Sequence, residues 1–218
     1  EGLVYPEFDE RIHVIEPFSV PHEWQDNISI DPGLNNPLSA HWYAVDFDDN
    51  VYVVYEYYQA GKDVDYHAEK IREICKKLGW HTDGKGRIEA LIDSAANQRT
   101  LASVKSVSEL FYERGILVNP NVDKDLFSGI QRVKSYLNRK NGLPNIYIFR
   151  GCVNLIREIK GYFWGEGDVP KKRDDHALDE MRYYLMSRPR GRAEKPALSE
   201  IQRDKERRIR RLGRERHG

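Results

Sequence analysis

The 218-residue sequence predicts an α/β fold: a mixed sheet, an antiparallel meander followed by parallel strands, sandwiched by helices. Three observations carry that expectation. Two runs rich in β-branched and aromatic residues, Ala40 to Asp46 and Val51 to Tyr58, flank the turn Asp48-Asp49-Asn50, and with the run from Ile28 they form a three-strand meander. From residue 88 onward, short apolar runs alternate with longer segments of helical period. A hydrophobic fraction of 39%, with 11% aromatic residues, supplies enough apolar surface for one large domain with appendages.

Taken in order, residues 1–26 carry Pro6, Pro17 and Pro21 among scattered apolar residues, which reads as an extended linker that docks on a core. The chain opens at Glu1 without a methionine, as a fragment would. Ile28-Ser29-Ile30 then forms a strand that ends at Asp31, because Pro32 removes a ladder donor and Gly33 permits a sharp turn. Asp63 opens a helix to about Leu78, with Ile71, Ile74, Cys75 and Leu78 at helical spacing and Gly79 as its stop. The alternation continues with a strand at Ile88 to Ile92, a helix at about Ser103 to Arg114, and a strand at Ile116 to Val118. A helix over Lys124 to Lys140, a strand at Ile146 to Phe149 and a helix over Cys152 to Gly161 follow. A glycine-rich loop with the run Lys171-Lys172-Arg173 leads into a last helix beginning near Asp174, whose Leu178, Met181 and Leu185 form a buried stripe. The domain is therefore expected to span 27–187, with a basic, flexible tail at 188–218.

Charge is unevenly spread. The formal net charge is zero, yet the tail from Arg188 to Gly218 holds twelve Lys/Arg against five Asp/Glu, so it carries +7 and the rest −7. A polyanionic partner is thus compatible with the neutral sum. Cys75 and Cys152 lie in apolar segments without CxxC spacing and read as reduced, packed thiols. No apolar run approaches the roughly 18 residues of a membrane span, which fits a soluble chain in a cytoplasm.

Chemistry gathers at a few acids. Asp31 and Asp93 both end strands, where ligands of α/β sheets collect, and Asp179 and His176 lie three apart on one helical face. Each also has a structural reading: Asp31 starting a turn, Asp93 or Asp174 capping a helix, Asp179 pairing with Arg182, His176 bonding at a helix end. Together, three acids from separate points suit Mg²⁺ or Mn²⁺, which favour hard oxygen ligands, and two such ions would clamp an in-line phosphoryl displacement. Phosphate contacts would come from Arg99, Lys105 and the run Lys171, Lys172 and Arg173, with Arg132, Lys134, Arg139 and Lys140 as further basic positions that read equally as a solvated face.

The stretches Ile30-Asp31-Pro32-Gly33 with Pro37, Tyr55-Glu56-Tyr57-Tyr58, Asp93-Ser94-Ala95-Ala96-Asn97-Gln98-Arg99, and Asp174-Asp175-His176-Ala177-Leu178-Asp179-Glu180-Met181-Arg182-Tyr183 closely resemble the C-terminal nuclease domain of the large terminase subunit of tailed double-stranded DNA bacteriophages. The lead-in from Val4 to Trp24 is similar to that family's segment joining ATPase and nuclease. The resemblance implies an RNase H-like fold and a metal-dependent endonuclease cutting concatemeric viral DNA in the host bacterial cytoplasm. It also implies portal and small terminase subunit as partners. By matching motifs, Asp31, Asp93 and Asp179 would hold two Mg²⁺ or Mn²⁺ ions, with Asp31 bridging, Asp175 an alternative or additional ligand, and His176 a neighbouring polar or proton-handling group. No GxxxxGK[ST] stretch occurs, so no motor activity is assigned. Two other readings remain: another RNase H-fold nuclease of resolvase or transposase type, and a non-catalytic domain that binds DNA or portal.

Overall fold

The computed structural model describes residues 2–33, 36–98 and 105–188; the sequence-predicted tail lies outside them except for Arg188. Seven strands form one mixed sheet: β1 Val14–Ile15, β2 Gln25–Asp31, β3 Leu38–Val45, β4 Val51–Gln59, β5 Ile88–Ile92, β6 Ile116–Asn119 and β7 Ile146–Phe149. Their order across the sheet is β1-β7-β4-β3-β2-β5-β6. The meander β2-β3-β4 is antiparallel, and β5, β6, β7 and β1 add to its two sides in parallel. This is an RNase H-like architecture.

The helices are α1 Glu10–His13, α2 Val64–Leu78, α3 Val107–Glu113, α4 Leu126–Leu137, α5 Val153–Gly161 and α6 His176–Ser187. Local chemistry sets their ends. Asp63 caps α2 by accepting the Tyr66 N–H at 2.8 Å, and Gly79 closes it in the left-handed region at φ 58°. Ser106 and Glu109 form a reciprocal capping box on α3, so that helix starts at Val107 and not at Ser103, and residues 99–104 lie outside the described chain. Asp125 caps α4 through the Ser128 N–H, which moves its start from Lys124 to Leu126.

Every residue of β3 is buried, because helices cover both faces of the sheet. On one face the Trp42 indole N–H donates to Cys75 Sγ of α2 at 3.3 Å; on the other His41 and Tyr43 meet Glu180 of α6. Both cysteines are free and buried.

The N-terminal segment contributes more than a docked coil. Its Val14 and Ile15 pair in parallel with Ile148 and Phe149, extending the sheet by an edge strand that sequence pattern did not predict. Val4 donates to the Tyr162 carbonyl at 2.9 Å, and Tyr5 is buried and stacked on Tyr162 with centroids 5.9 Å apart. At the other end, Arg188 is anchored by Asp49 at 2.7 Å. Among the described residues no helix is long and apolar enough to cross a membrane.

Candidate active site

The site begins with strand register. β2 and β5 are parallel neighbours with Ile30 opposite Ile92, so Asp31 and Asp93 emerge side by side at the same carboxyl edge of the sheet. The Asp93 N–H donates to the Ile30 carbonyl at 3.2 Å, carrying the pairing to that point. Beyond Asp31 the chain must fold back sharply: Gly33 has φ 51°, its N–H donates to Asp31 Oδ1 at 3.2 Å, and a Cβ there would lie 2.1 Å from the Pro37 carbonyl oxygen. Glycine is therefore a steric requirement of the turn behind the first acid.

Helix α6 crosses above β2 and β3, fixed by Ser29 Oγ donating to the Glu180 carbonyl at 2.8 Å. Residues three and four apart share a helical face, so His176, Asp179 and Tyr183 are brought to that sheet edge together. His176 Nδ1 lies 3.0 Å from Asp31 Oδ2, and the Tyr183 hydroxyl donates to Asp93 Oδ2 at 3.1 Å. Asp31, Asp93, Asp175, His176 and Asp179 line one open pocket of about 520 Å³, together with Asn36, Lys172 and Arg173.

Each of the three central acids is held by a basic group of the chain. Asp31 faces His176, Asp93 Oδ1 accepts from Lys124 Nζ at 2.6 Å, and Asp179 pairs with Arg182 of its own helix. Asp93 also accepts the Ala95 N–H at 2.7 Å, so its capping role is real as well. Consequently the carboxylates share a pocket without closing on one point: among the described residues no three His, Cys, Asp or Glu side chains form a ready-made ion cage. The expectation that the acids converge as a cluster is corrected to that extent. The physical reason is local, since each carboxylate is turned toward its own basic partner: His176, Lys124 or Arg182.

The electrostatics follow from these contacts. Burial alone would raise the Asp93 carboxyl, but the Ala95 amide, the Lys124 ammonium and the Tyr183 hydroxyl outweigh it and hold it below the usual range. Asp179 goes the other way: burial, followed by the charges of Asp175 and Asp31, pushes its carboxyl up to about 6 in spite of Arg182. The bond to Asp31 raises the His176 imidazole against the opposing effect of burial. Hard oxygen donors, crowded enough to resist ionisation in one of them, are the donor set a divalent cation relieves.

The other sequence-predicted positions divide. Lys172 and Arg173 line the pocket, and Arg173 lies 3.6 Å from Asp174. The Lys171 N–H donates to the Phe163 carbonyl, and Lys171 does not line the pocket. Lys105 does not join the acids either: its ammonium pairs with Glu113 at 2.5 Å, and it lines a separate groove with Ser106, Tyr112 and Leu117. Arg99 lies outside the described residues. Asp174 does not cap the last helix; it takes a left-handed φ of 48°, and Asp175 stands at the N-cap without a side-chain bond to the helix. Lys124 and Tyr183 were missed. Tyr183 stands four residues after Asp179, a spacing that could have found it, whereas nothing local marks Lys124.

No protein-family model matches this sequence, and no curated protein matches it significantly. Among solved structures, the fold is that of large-terminase nuclease domains. The large terminase of a thermophilic bacteriophage, in complex with ADP, aligns with a TM-score of 0.69 at 25% identity over 85% of this chain and 44% of that one. The present chain thus spans less than half the length of that protein. The nuclease domain of the bacteriophage P22 large terminase aligns with a TM-score of 0.69 at 18% identity, covering 85% of this chain and 91% of that one. The large-terminase nuclease domain of bacteriophage SPP1, with bound Mn, aligns with a TM-score of 0.52 at 16% identity over 80% and 94% of the two chains.

Proposed function

We propose that this chain is the nuclease domain of a phage DNA-packaging terminase, a divalent-metal-dependent endonuclease that cuts concatemeric double-stranded DNA. The observation that carries the reading is a single pocket lined by Asp31 and Asp93 from adjacent strand ends and by Asp179 from the helix facing them. The fold, shared with terminase nuclease domains, and the Mn held by the SPP1 domain support it.

In this reading Asp31, Asp93 and Asp179 hold one or two Mg²⁺ or Mn²⁺ ions, with Asp175 as a further oxygen donor. An ion held there would lower the pKa of a bound water, so that hydroxide is available as nucleophile near neutral pH, and would offset charge on the leaving oxygen. Lys172 and Arg173 contact backbone phosphates, point charges without sequence information. Lys124 and Arg182 hold the carboxylates of Asp93 and Asp179 that a divalent ion would take as ligands. His176 shares a proton with Asp31 at Nδ1 and keeps that carboxylate oriented toward the pocket. The portal, the small terminase subunit and an ATPase domain are the partners of this reading, and the host bacterial cytoplasm is its setting.

The direct test is supercoiled plasmid incubated with the purified chain in Mg²⁺, in Mn²⁺ and in EDTA. Nicked and linear products are expected with either metal and none with EDTA. The pairing of all three acids with basic side chains favours one competing reading, a non-catalytic domain that binds DNA or portal. Intact plasmid under every metal condition, with DNA retained by the protein, would establish that alternative.

A further inference from the structure

Helix α6 starts without a local cap, since Asp175 bonds none of its free amides through the side chain. The Ala177 and Leu178 N–H groups donate instead to Glu158 Oε2 of α5, at 2.8 and 3.1 Å. Oε1 of the same carboxylate accepts the Tyr58 hydroxyl of β4 at 2.8 Å, and Glu158 is only 3% exposed. One element earlier the device repeats. Cys152 does not cap α5 through its side chain; Glu56 of β4 accepts the Asn154 N–H at 2.9 Å and the Leu155 N–H at 2.8 Å.

The two caps belong to one circuit. Glu56 also bonds His41 Nε2 at 2.8 Å, and the other ring nitrogen of His41 faces Glu180 of α6. Buried carboxylates therefore tie β4 to α5, α5 to the start of α6, and the middle of α6 back to β3. A serine or aspartate at the N-cap would satisfy the same amides at a lower desolvation cost. A cap supplied by a neighbouring helix does something a local one does not: it fixes where the turn sits relative to the rest of the fold. The turn in question is flanked by His176 and Asp179.

We propose that Glu158 is a positioning residue for the pocket, its carboxylate holding the first turn of α6, and with it His176 and Asp179, against Asp31. What that turn is positioned to do rests on the nuclease reading above. The test compares Glu158→Gln, which keeps the shape but removes the charge and one of the two oxygens, so that the two amides and the Tyr58 hydroxyl no longer all have an acceptor, with Ser106→Ala, which removes a cap on the remote helix α3. Tyr58→Phe, a smaller change to the same carboxylate, serves if the glutamine variant folds poorly. Hydrogen exchange at Ala177 and Leu178 is expected to rise about ten-fold in Glu158→Gln and not in Ser106→Ala, the size of one lost cap bond. Mn²⁺ affinity by calorimetry is expected to fall about ten-fold, and kcat for plasmid to fall with KM for DNA unchanged, in the Glu158 variant only. Equal exchange and equal Mn²⁺ affinity in the two variants would overturn the proposal. Wild-type protein that neither binds Mn²⁺ nor cuts would sink the nuclease reading instead, and the exchange arm would still decide whether Glu158 holds the turn.

Discussion

Asp31→Asn is expected to lower the rate of plasmid cutting by about 10³-fold or more while leaving the fold intact, with Asp93→Asn comparable. Asp31 lies at the strand end, where among the described residues its side chain bonds the Gly33 amide and His176, so an amide of the same shape keeps its packing and loses the charge that would hold a cation. Asp179→Asn is expected to lose activity as well, but with a second consequence. In the metal-free protein at pH 7, burial and the charges of Asp175 and Asp31 disfavour the ionised carboxylate more than Arg182 favours it, so an amide removes that penalty while it also takes the counter-charge from Arg182. Thermal unfolding in EDTA at pH 7 reads the balance: Asp31→Asn should melt close to wild type and Asp179→Asn no lower than it. Activity within two-fold of wild type in Asp31→Asn would remove that residue from the site.

Mn²⁺ affinity is expected to fall about ten-fold between pH 7 and pH 5, because the metal requires an ionised Asp179 whose carboxyl is pushed up to about 6. Below that pH a proton occupies the group the ion needs. The bond to Asp31 raises His176, so its protonated ring competes for the same oxygen at acid pH and acts in the same direction. The sign for the metal-free protein is opposite. A carboxyl raised on folding contributes stability that is complete below its unfolded value, near 3.8, and is lost as pH rises through about 6. Added Mn²⁺ should therefore raise the melting temperature strongly at pH 7 and little at pH 5. Calorimetry and thermal shift across that range check both statements, and a Mn²⁺ response independent of pH would contradict them.

The parts of this molecule that sequence makes legible are those whose determinants are local. The strands Ile88–Ile92 and Ile146–Phe149 appear with the bounds expected, and α2 runs between the cap and the glycine that mark it. The edge strand Val14–Ile15 was not legible: two residues have no period, and their partner lies more than 130 positions away. Asp31 and Asp93 stood out because a strand that ends on a carboxylate before a turn can be read directly from the residues. The circuit of Glu56, His41, Glu180 and Glu158 could not be read that way. Each member looks like an ordinary polar residue until the sheet and helices close over it, although Glu56 and Glu180 lie within stretches that carry the terminase resemblance. Lys124 escaped for the same reason, since its partner Asp93 is a tertiary neighbour.

Diffraction from Mn²⁺-soaked crystals, read by anomalous scattering, addresses the assignment of the pocket most directly. An anomalous peak within coordination distance of Asp31 and Asp93 oxygens, with Asp179 or Asp175 turned toward it and Lys124 withdrawn from Asp93, is the predicted result. Density showing all three ion pairs intact at saturating Mn²⁺, with the metal bound elsewhere or not at all, would contradict it.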